Sequence, residues 1–187
     1  EAVSHNGKLG SFSNNSGSGN GVNAISLVGT ITQNGATTTL LANSLPYLLN
    51  GGVTVAASST LAVNSGVAIK GWTINSLSYL HVYGNLVVSG ANFSDIVFGS
   101  MFSSPAKDDW GGVRLYSGSQ SDISGATFEY ARAAIAYTGS PINLSNVKFS
   151  ENTLGVSADS ASLAYPITAS AITFTNNTAT TSPGGLW

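Results

Sequence analysis

Ser124-Gly-Ala-Thr-Phe128, Ser145-Asn-Val-Lys-Phe149 and Ser170-Ala-Ile-Thr-Phe174 share one pattern, and two earlier segments, Ser65-Gly-Val-Ala-Ile69 and Ser94-Asp-Ile-Val-Phe98, follow it too. Their last residues lie 29, 30, 21 and 25 positions apart along the 187-residue chain. Solenoid units repeat at about 20–50 residues, so each pentapeptide is read as one coil of backbone. In a strand, alternate side chains point to opposite faces. The third and fifth positions of every copy are apolar, ending in Ile69, Phe98, Phe128, Phe149 and Phe174, and are assigned to the interior. The fourth positions, Ala68, Val97, Thr127, Lys148 and Thr173, face out. Coils stacked in parallel register would pile Ile69, Phe98, Phe128, Phe149 and Phe174 as one internal stack, with rungs about 4.8 Å apart. Ser-Gly, Ser-Asp and Ser-Asn at the first two positions supply the bend into each strand. Ile135 and Val156 each fall seven residues after a cassette Phe, which implies a second strand per coil.

The rest of the chain agrees. Short apolar runs such as Val53–Val55, Leu61–Val63, Leu80–Val82, Leu86–Val88 and Val113–Leu115 are separated by Gly, Asn and Ser, as strands are. Helical spacing is nearly absent, with Tyr130–Ala136 the one short exception. The fold class expected is all-β: a parallel β-helix of five to seven coils with an N-terminal β segment. Two regions are expected, 1–44 and 45–187. In the first, Gly10–Gly21 reads as a flexible segment, followed by a strand pair at 24–32 and 37–41 around Asn34-Gly35, unattached to the repeat and suited to capping or to pairing with another subunit.

Composition removes several functions. Six basic and eight acidic residues give a net charge of −2, and only 7% of residues are charged, against about 25% in an average domain. The cations are scattered singly, so a phosphate backbone finds no basic patch and nucleic acid is not an expected partner. Without Cys there is neither a disulfide nor a thiolate metal site. No apolar run reaches the roughly 18 residues of a membrane span, and an opening at Glu1 without a Met or a charged-then-apolar stretch is read as the expectation of a trimmed, mature secreted chain. Few charges and abundant Ser, Thr and Asn fit an exported chain, so an extracellular, cell-surface location is expected. Sequons at Asn14, Asn92, Asn143 and Asn176 are no more frequent than such a composition supplies by chance.

The order and spacing of Gly52-Val-Thr-Val55, Thr60-Leu-Ala-Val63, Gly66-Val-Ala-Ile-Lys70, Asp109-Trp-Gly-Gly-Val-Arg-Leu115 and Phe128-Glu-Tyr-Ala131 resemble the coils of extracellular right-handed parallel β-helix proteins of the pectate-lyase-like superfamily, over residues 45–178. The resemblance implies a right-handed helix. That group holds polysaccharide lyases and hydrolases beside adhesins and surface-layer proteins, so it speaks for fold and hardly for activity.

Catalysis is weighed and disfavoured. Hydrolysis of a polysaccharide needs converging carboxylates, one to protonate the leaving oxygen and one to activate water. Asp108 and Asp109 are the sole adjacent pair, and a solvated loop is the favoured reading of them. A lyase needs a calcium cluster and a base; Arg114 and Arg132 can be cast as bases, but the carboxylates are scattered. Asp108, Asp109 and Arg114 thus remain a weak catalytic alternative, and no metal site or cofactor is expected. Tyr79, His81 and Tyr83 share one strand face, and with Trp110 and Tyr116 they make the candidate glycan-binding set, set against a plain strand exterior. Lys70, Glu129 and Lys148 are expected outside, paired between coils. Ice binding needs Thr pairs repeated on every coil, which are missing.

The leading expectation is a non-enzymatic structural protein that self-assembles into a filament, sheath or surface layer through its solenoid ends, because an uncovered end coil exposes backbone and core. The segment Thr180–Trp187 holds apolar residues and no charge, which suits such a contact. An adhesin or carbohydrate-binding domain is the alternative, followed by a polysaccharide-cleaving enzyme.

Overall fold

The computed structural model describes residues 2–7, 13–32, 35–73, 76–158 and 165–181. Among them are sixteen strands and no helix, and every strand-to-strand ladder is parallel. The strands fall on three faces of a right-handed coil, the hand that parallel crossovers take. The Tyr130–Ala136 stretch with helical spacing runs instead through a turn into a strand.

Face A consists of β3 (Thr37–Leu40), β5 (Thr60–Asn64), β8 (Asn85–Ser89) and the first halves of β11 (Gln120–Glu129), β13 (Ile142–Ser150) and β15 (Ile167–Thr175). Face B takes the first halves of β2 (Ile25–Ile31) and β4 (Tyr47–Val55), then β6 (Ala68–Gly71), β9 (Ile96–Ser100) and the second halves of β11, β13 and β15. Face C takes the second halves of β2 and β4, then β7 (Tyr79–Val82), β10 (Gly112–Leu115), β12 (Ala133–Tyr137), β14 (Leu154–Ala158) and β16 (Ala179–Thr181). β1 (Ala2–Gly7) lies over β2 at the N-terminal end.

The cassettes occupy face B as their alternation requires. Phe98, Phe128, Phe149 and Phe174 are in register. Their ring centroids are 4.5, 5.7 and 5.2 Å apart, with planes tilted by 8°, 24° and 17°. Ile69 continues this column above Phe98. The second cassette residue makes the A-to-B bend by entering the left-handed region: Gly125 at φ 62°, Asn146 at 51° and Ala171 at 53°. The position seven residues after the Phe is a buried face C rung, with Val113, Ile135 and Val156 in register. Outside, Lys70 Nζ and Glu129 Oε1 pair at 3.6 Å across Gly99, where a Cβ would lie 2.9 Å from both side chains.

The start of the helix differs from the sequence reading. β2 and β3 do not pair with each other: β2 stacks on β4 and β3 on β5, both parallel. Residues 25–31 and 37–40 are therefore rungs of the coil rather than an unattached strand pair. The reason is burial: Ile25, Leu27, Ile31 and Leu40 all enter the common core, which an isolated hairpin would leave wet. The face B column then runs Ile25, Tyr47, Ile69, Phe98, Phe128, Phe149, Phe174, which is six turns. Tyr47 fits the core because its hydroxyl donates to the Leu41 carbonyl at 2.9 Å and accepts from Asn43 Nδ2 at 2.8 Å.

The corner between faces B and C is short in the last coils. Tyr130, Glu151 and Asn176 each take a left-handed φ, of 60°, 56° and 54°, and the next residue turns inward. That residue is Ala131, then Asn152, then Asn177. Asn152 Oδ1 accepts from the Ala131 N–H at 2.8 Å, and Asn152 Nδ2 donates to the Phe128 carbonyl and to Asn177 Oδ1, both at 2.9 Å. Asn177 Nδ2 donates in turn to the Phe149 carbonyl at 2.9 Å. The amides thus saturate backbone groups that the turn leaves unpaired inside the corner.

Candidate functional site

The outer surface of face C is where the candidate residues meet. Along β7, Leu80 and Val82 point into the core, so Tyr79 and His81, and Tyr83 just beyond the strand, line up outside. Register on the next strand places Arg114 beside His81, and the Tyr116 N–H donates to the Val82 carbonyl at 2.9 Å, bringing Tyr116 beside Tyr83. The Tyr83 and Tyr116 rings stack at 4.2 Å with planes 4° apart. Tyr116 Oη and His81 Nδ1 share a hydrogen bond of 3.0 Å. Tyr79 lies over the bare backbone of Gly111, where an added Cβ would come within 2.0 Å of the ring. Its face meets the Arg114 guanidinium, whose Cζ is 4.1 Å from the centroid, within cation–π reach.

Burial, and then the Arg114 charge, hold the His81 pKa below its ordinary value. At neutral pH the imidazole is therefore uncharged, and the positive charge of the strip belongs to Arg114. Desolvation first, and Tyr116 beside it second, raise the Tyr83 phenol. Tyr83 is 44% exposed and is the most open of the strip's aromatic rings.

Next to the strip the outward column shrinks: Arg114 on β10 is followed in register by Ala136 on β12 and Ser157 on β14. The step leaves a shallow depression of about 250 Å³, bounded by Tyr116, Arg114, Arg132, Thr138 and Leu154.

One family profile matches residues 29–146, well over half of the chain, and is described as a pectate-lyase like beta helix domain. The chain belongs to the pectate-lyase-like β-helix family. No curated protein and no solved structure matches it. For a pectate-lyase-like β-helix the family gives the architecture, and the chemistry has to be argued from the side chains.

Of the five candidate glycan-binding residues, Tyr79, His81, Tyr83 and Tyr116 converge and Trp110 does not. Trp110 was expected outside; it is 0% exposed, with Nε1 donating to the Glu129 carbonyl at 2.8 Å. With Trp110 bridged to Ala131 at the B–C corner, the indole belongs to the core cluster. The carboxylates Asp108 and Asp109 belong to the loop 101–109. Asp109 Oδ2 accepts from Ser100 Oγ at 2.5 Å and from the Ala106 N–H at 2.8 Å, which is the work of a turn-closing side chain. Asp108 is exposed with a left-handed φ of 68°. Arg114, the third member of the weak catalytic set, is committed to Tyr79 on face C. Among the described residues no group of three or more His, Asp or Glu side chains is gathered in a way that could hold a metal.

Two features were not read from sequence as a site. The depression is made by what is missing, Ala136 and Ser157 where Arg114 stood. Arg132 lies 18 residues after Arg114 in the sequence, and only the fold sets the two at one rim. The sequons place Asn92 and Asn143 outside; the Asn143 Nδ2 donates to Asp122 Oδ1 at 2.5 Å on the neighbouring coil.

Proposed function

We propose that this pectate-lyase-like β-helix binds saccharides at a cell surface through the outer side of face C. The observation that carries the reading is the stacked Tyr83–Tyr116 pair, an exposed ring against a half-buried one just past the ends of β7 and β10, beside His81, Arg114 and an open depression. Sugar rings present C–H faces that stack on aromatic rings, and their hydroxyls need donors and acceptors at the rim. The strip supplies both, with Tyr79, His81 and Arg114 on strands and Tyr83 and Tyr116 one residue beyond their ends, so little ordering is required on binding. The test is titration calorimetry of the intact chain against the oligosaccharides it selects on a glycan array. Tyr83→Ala and Tyr116→Ala are each expected to weaken binding by about threefold to tenfold, the equivalent of roughly 0.5–1.5 kcal/mol for one aromatic contact. Affinity unchanged in both variants, or no ligand at all on the array, overturns the reading.

Self-assembly is the second reading, and the last described coil supports it. Val147 and Phe149 are fully buried between rungs, whereas Ile172 and Phe174, in register with them, are only half-buried. A further rung from a second copy would cover these side chains and pair the open strand edge. The segment Thr180–Trp187 invoked for this contact lies outside the described residues from 182 onward. Light scattering across a hundredfold range of concentration is expected to show mass growing with concentration, and a constant monomer mass removes the idea.

A further inference from the structure

We propose that Tyr83 and Tyr116 form a site of oxidative cross-linking: an oxidant of the peroxidase class joins the two rings by a carbon–carbon bond, with His81 taking the Tyr116 proton. This chemistry needs no saccharide at the strip. The two rings belong to neighbouring coils and lie 4.2 Å apart with planes 4° apart, and Tyr83 is 44% exposed to an oxidant working from outside.

A phenol that loses an electron becomes a strong acid, so it is oxidised most readily where a base waits for the proton. The Tyr116 hydroxyl lies 3.0 Å from His81 Nδ1. Burial, and then the Arg114 charge, hold the imidazole neutral at neutral pH, so with its own proton on Nε2 it accepts at Nδ1. The ring is held in place for this. It lies over the bare backbone of Gly52, where an added Cβ would be 3.4 Å from its Cδ2, and the Tyr79 and Tyr116 centroids are 5.4 and 5.8 Å away.

Tyr116 gives an electron to the oxidant and its proton to His81, while Tyr83 gives an electron to the oxidant and its proton to water. The two phenoxyl radicals join through ring carbons ortho to the hydroxyls. The hydrogens on those carbons move to the oxygens as the rings regain aromaticity, and His81 releases its proton to solvent. Hydrogen peroxide takes up the two electrons and two protons and leaves as two waters, so the chain loses two hydrogen atoms. The product staples the coil of β7 to that of β10, in a chain without cysteine for a disulfide.

The experiment treats the dilute intact chain with a haem peroxidase and hydrogen peroxide. A monomer lighter by two hydrogen atoms is expected, with dityrosine fluorescence and one digest product linking the peptides of Tyr83 and Tyr116. Tyr83→Phe and Tyr116→Phe keep a ring at each position and should lose that product. His81→Gln keeps a hydrogen-bond acceptor but no base, and should form it about tenfold more slowly or worse, a positioned base being worth about a hundredfold or more. The residues around His81 are Gly52 and Thr54 on β4, Tyr79, Tyr83, Arg114 and Tyr116, and neither phenols nor guanidinium titrate between about pH 5 and 8. The ratio of rates, intact chain to His81→Gln, should therefore fall toward one as acid protonates the imidazole. Tyr165, exposed at 39%, controls for exposure alone. No loss of two hydrogens, a link that runs through Tyr165 or between separate chains in place of Tyr83–Tyr116, or an equal rate in His81→Gln overturns the proposal.

Discussion

Phe128→Ala is expected to lower the free energy of unfolding by about 3–5 kcal/mol, the range for truncating a fully buried Phe. Phe128 sits in mid-column with a ring on either side, at 4.5 and 5.7 Å, so truncation removes two ring contacts and opens a void between rungs held apart by their own hydrogen bonds. Parallel strands on three faces resist collapse into that void, because closing it would break ladders on all of them. Phe128→Leu keeps most of the volume and should cost less than half as much. Urea unfolding followed by circular dichroism measures both. A loss under about 1 kcal/mol for the Ala variant would mean that the column is not what holds adjacent rungs together.

The second large effect is expected at Asn152, whose side chain is 0% exposed. Asn152→Ala strands the Ala131 N–H and the Phe128 carbonyl and removes a partner from Asn177. Each buried backbone group left unpaired costs about 1–3 kcal/mol, so a total of about 3 kcal/mol or more is anticipated. Amide hydrogen exchange sharpens the measurement: the Ala131 amide, now without an acceptor, should lose its protection, while amides of β5 and β8 on face A keep theirs. If Ala131 stays protected in the variant, some other acceptor serves it and the corner is not built on the asparagine amides.

How much of this was legible in sequence depended on periodicity. The four-Phe column announced itself because the same residue returns after the same Ser-led bend, and alternation alone sends Phe128, Phe149 and Phe174 inward. The first coil stayed hidden because no Ser-led pentapeptide precedes Ile25, and Tyr47, inside the expected β-helix, stands where the cassette has Phe or Ile. Trp110 was misread because its neighbours, Asp109 on one side and Gly111-Gly112 on the other, describe a surface turn, whereas the residue is bridged to Ala131 and its indole lies inside. The Tyr79, His81, Tyr83 face followed from strand alternation. Its meeting with Tyr116 and Arg114 did not, since coils of 21 to 30 residues leave the register between strands unfixed until the fold is known. Asn152 and Asn177 both follow a cassette Phe by three residues, a regularity visible in the sequence whose meaning depends on the backbone groups it serves.

The unequal lengths of the coils have their own consequence. Rungs on all three faces keep their spacing, and the surplus residues are discharged mainly at the corner between faces B and C, as 72–78 in one coil and 101–111 in the next, where later coils turn in three. Both excursions end beside Tyr79, one at Ser78 and the other at Gly111. That junction can accept foreign loops of arbitrary composition while the scaffold beneath stays unchanged, so new recognition specificities could be grafted beside face C much as variable loops are carried on a constant frame.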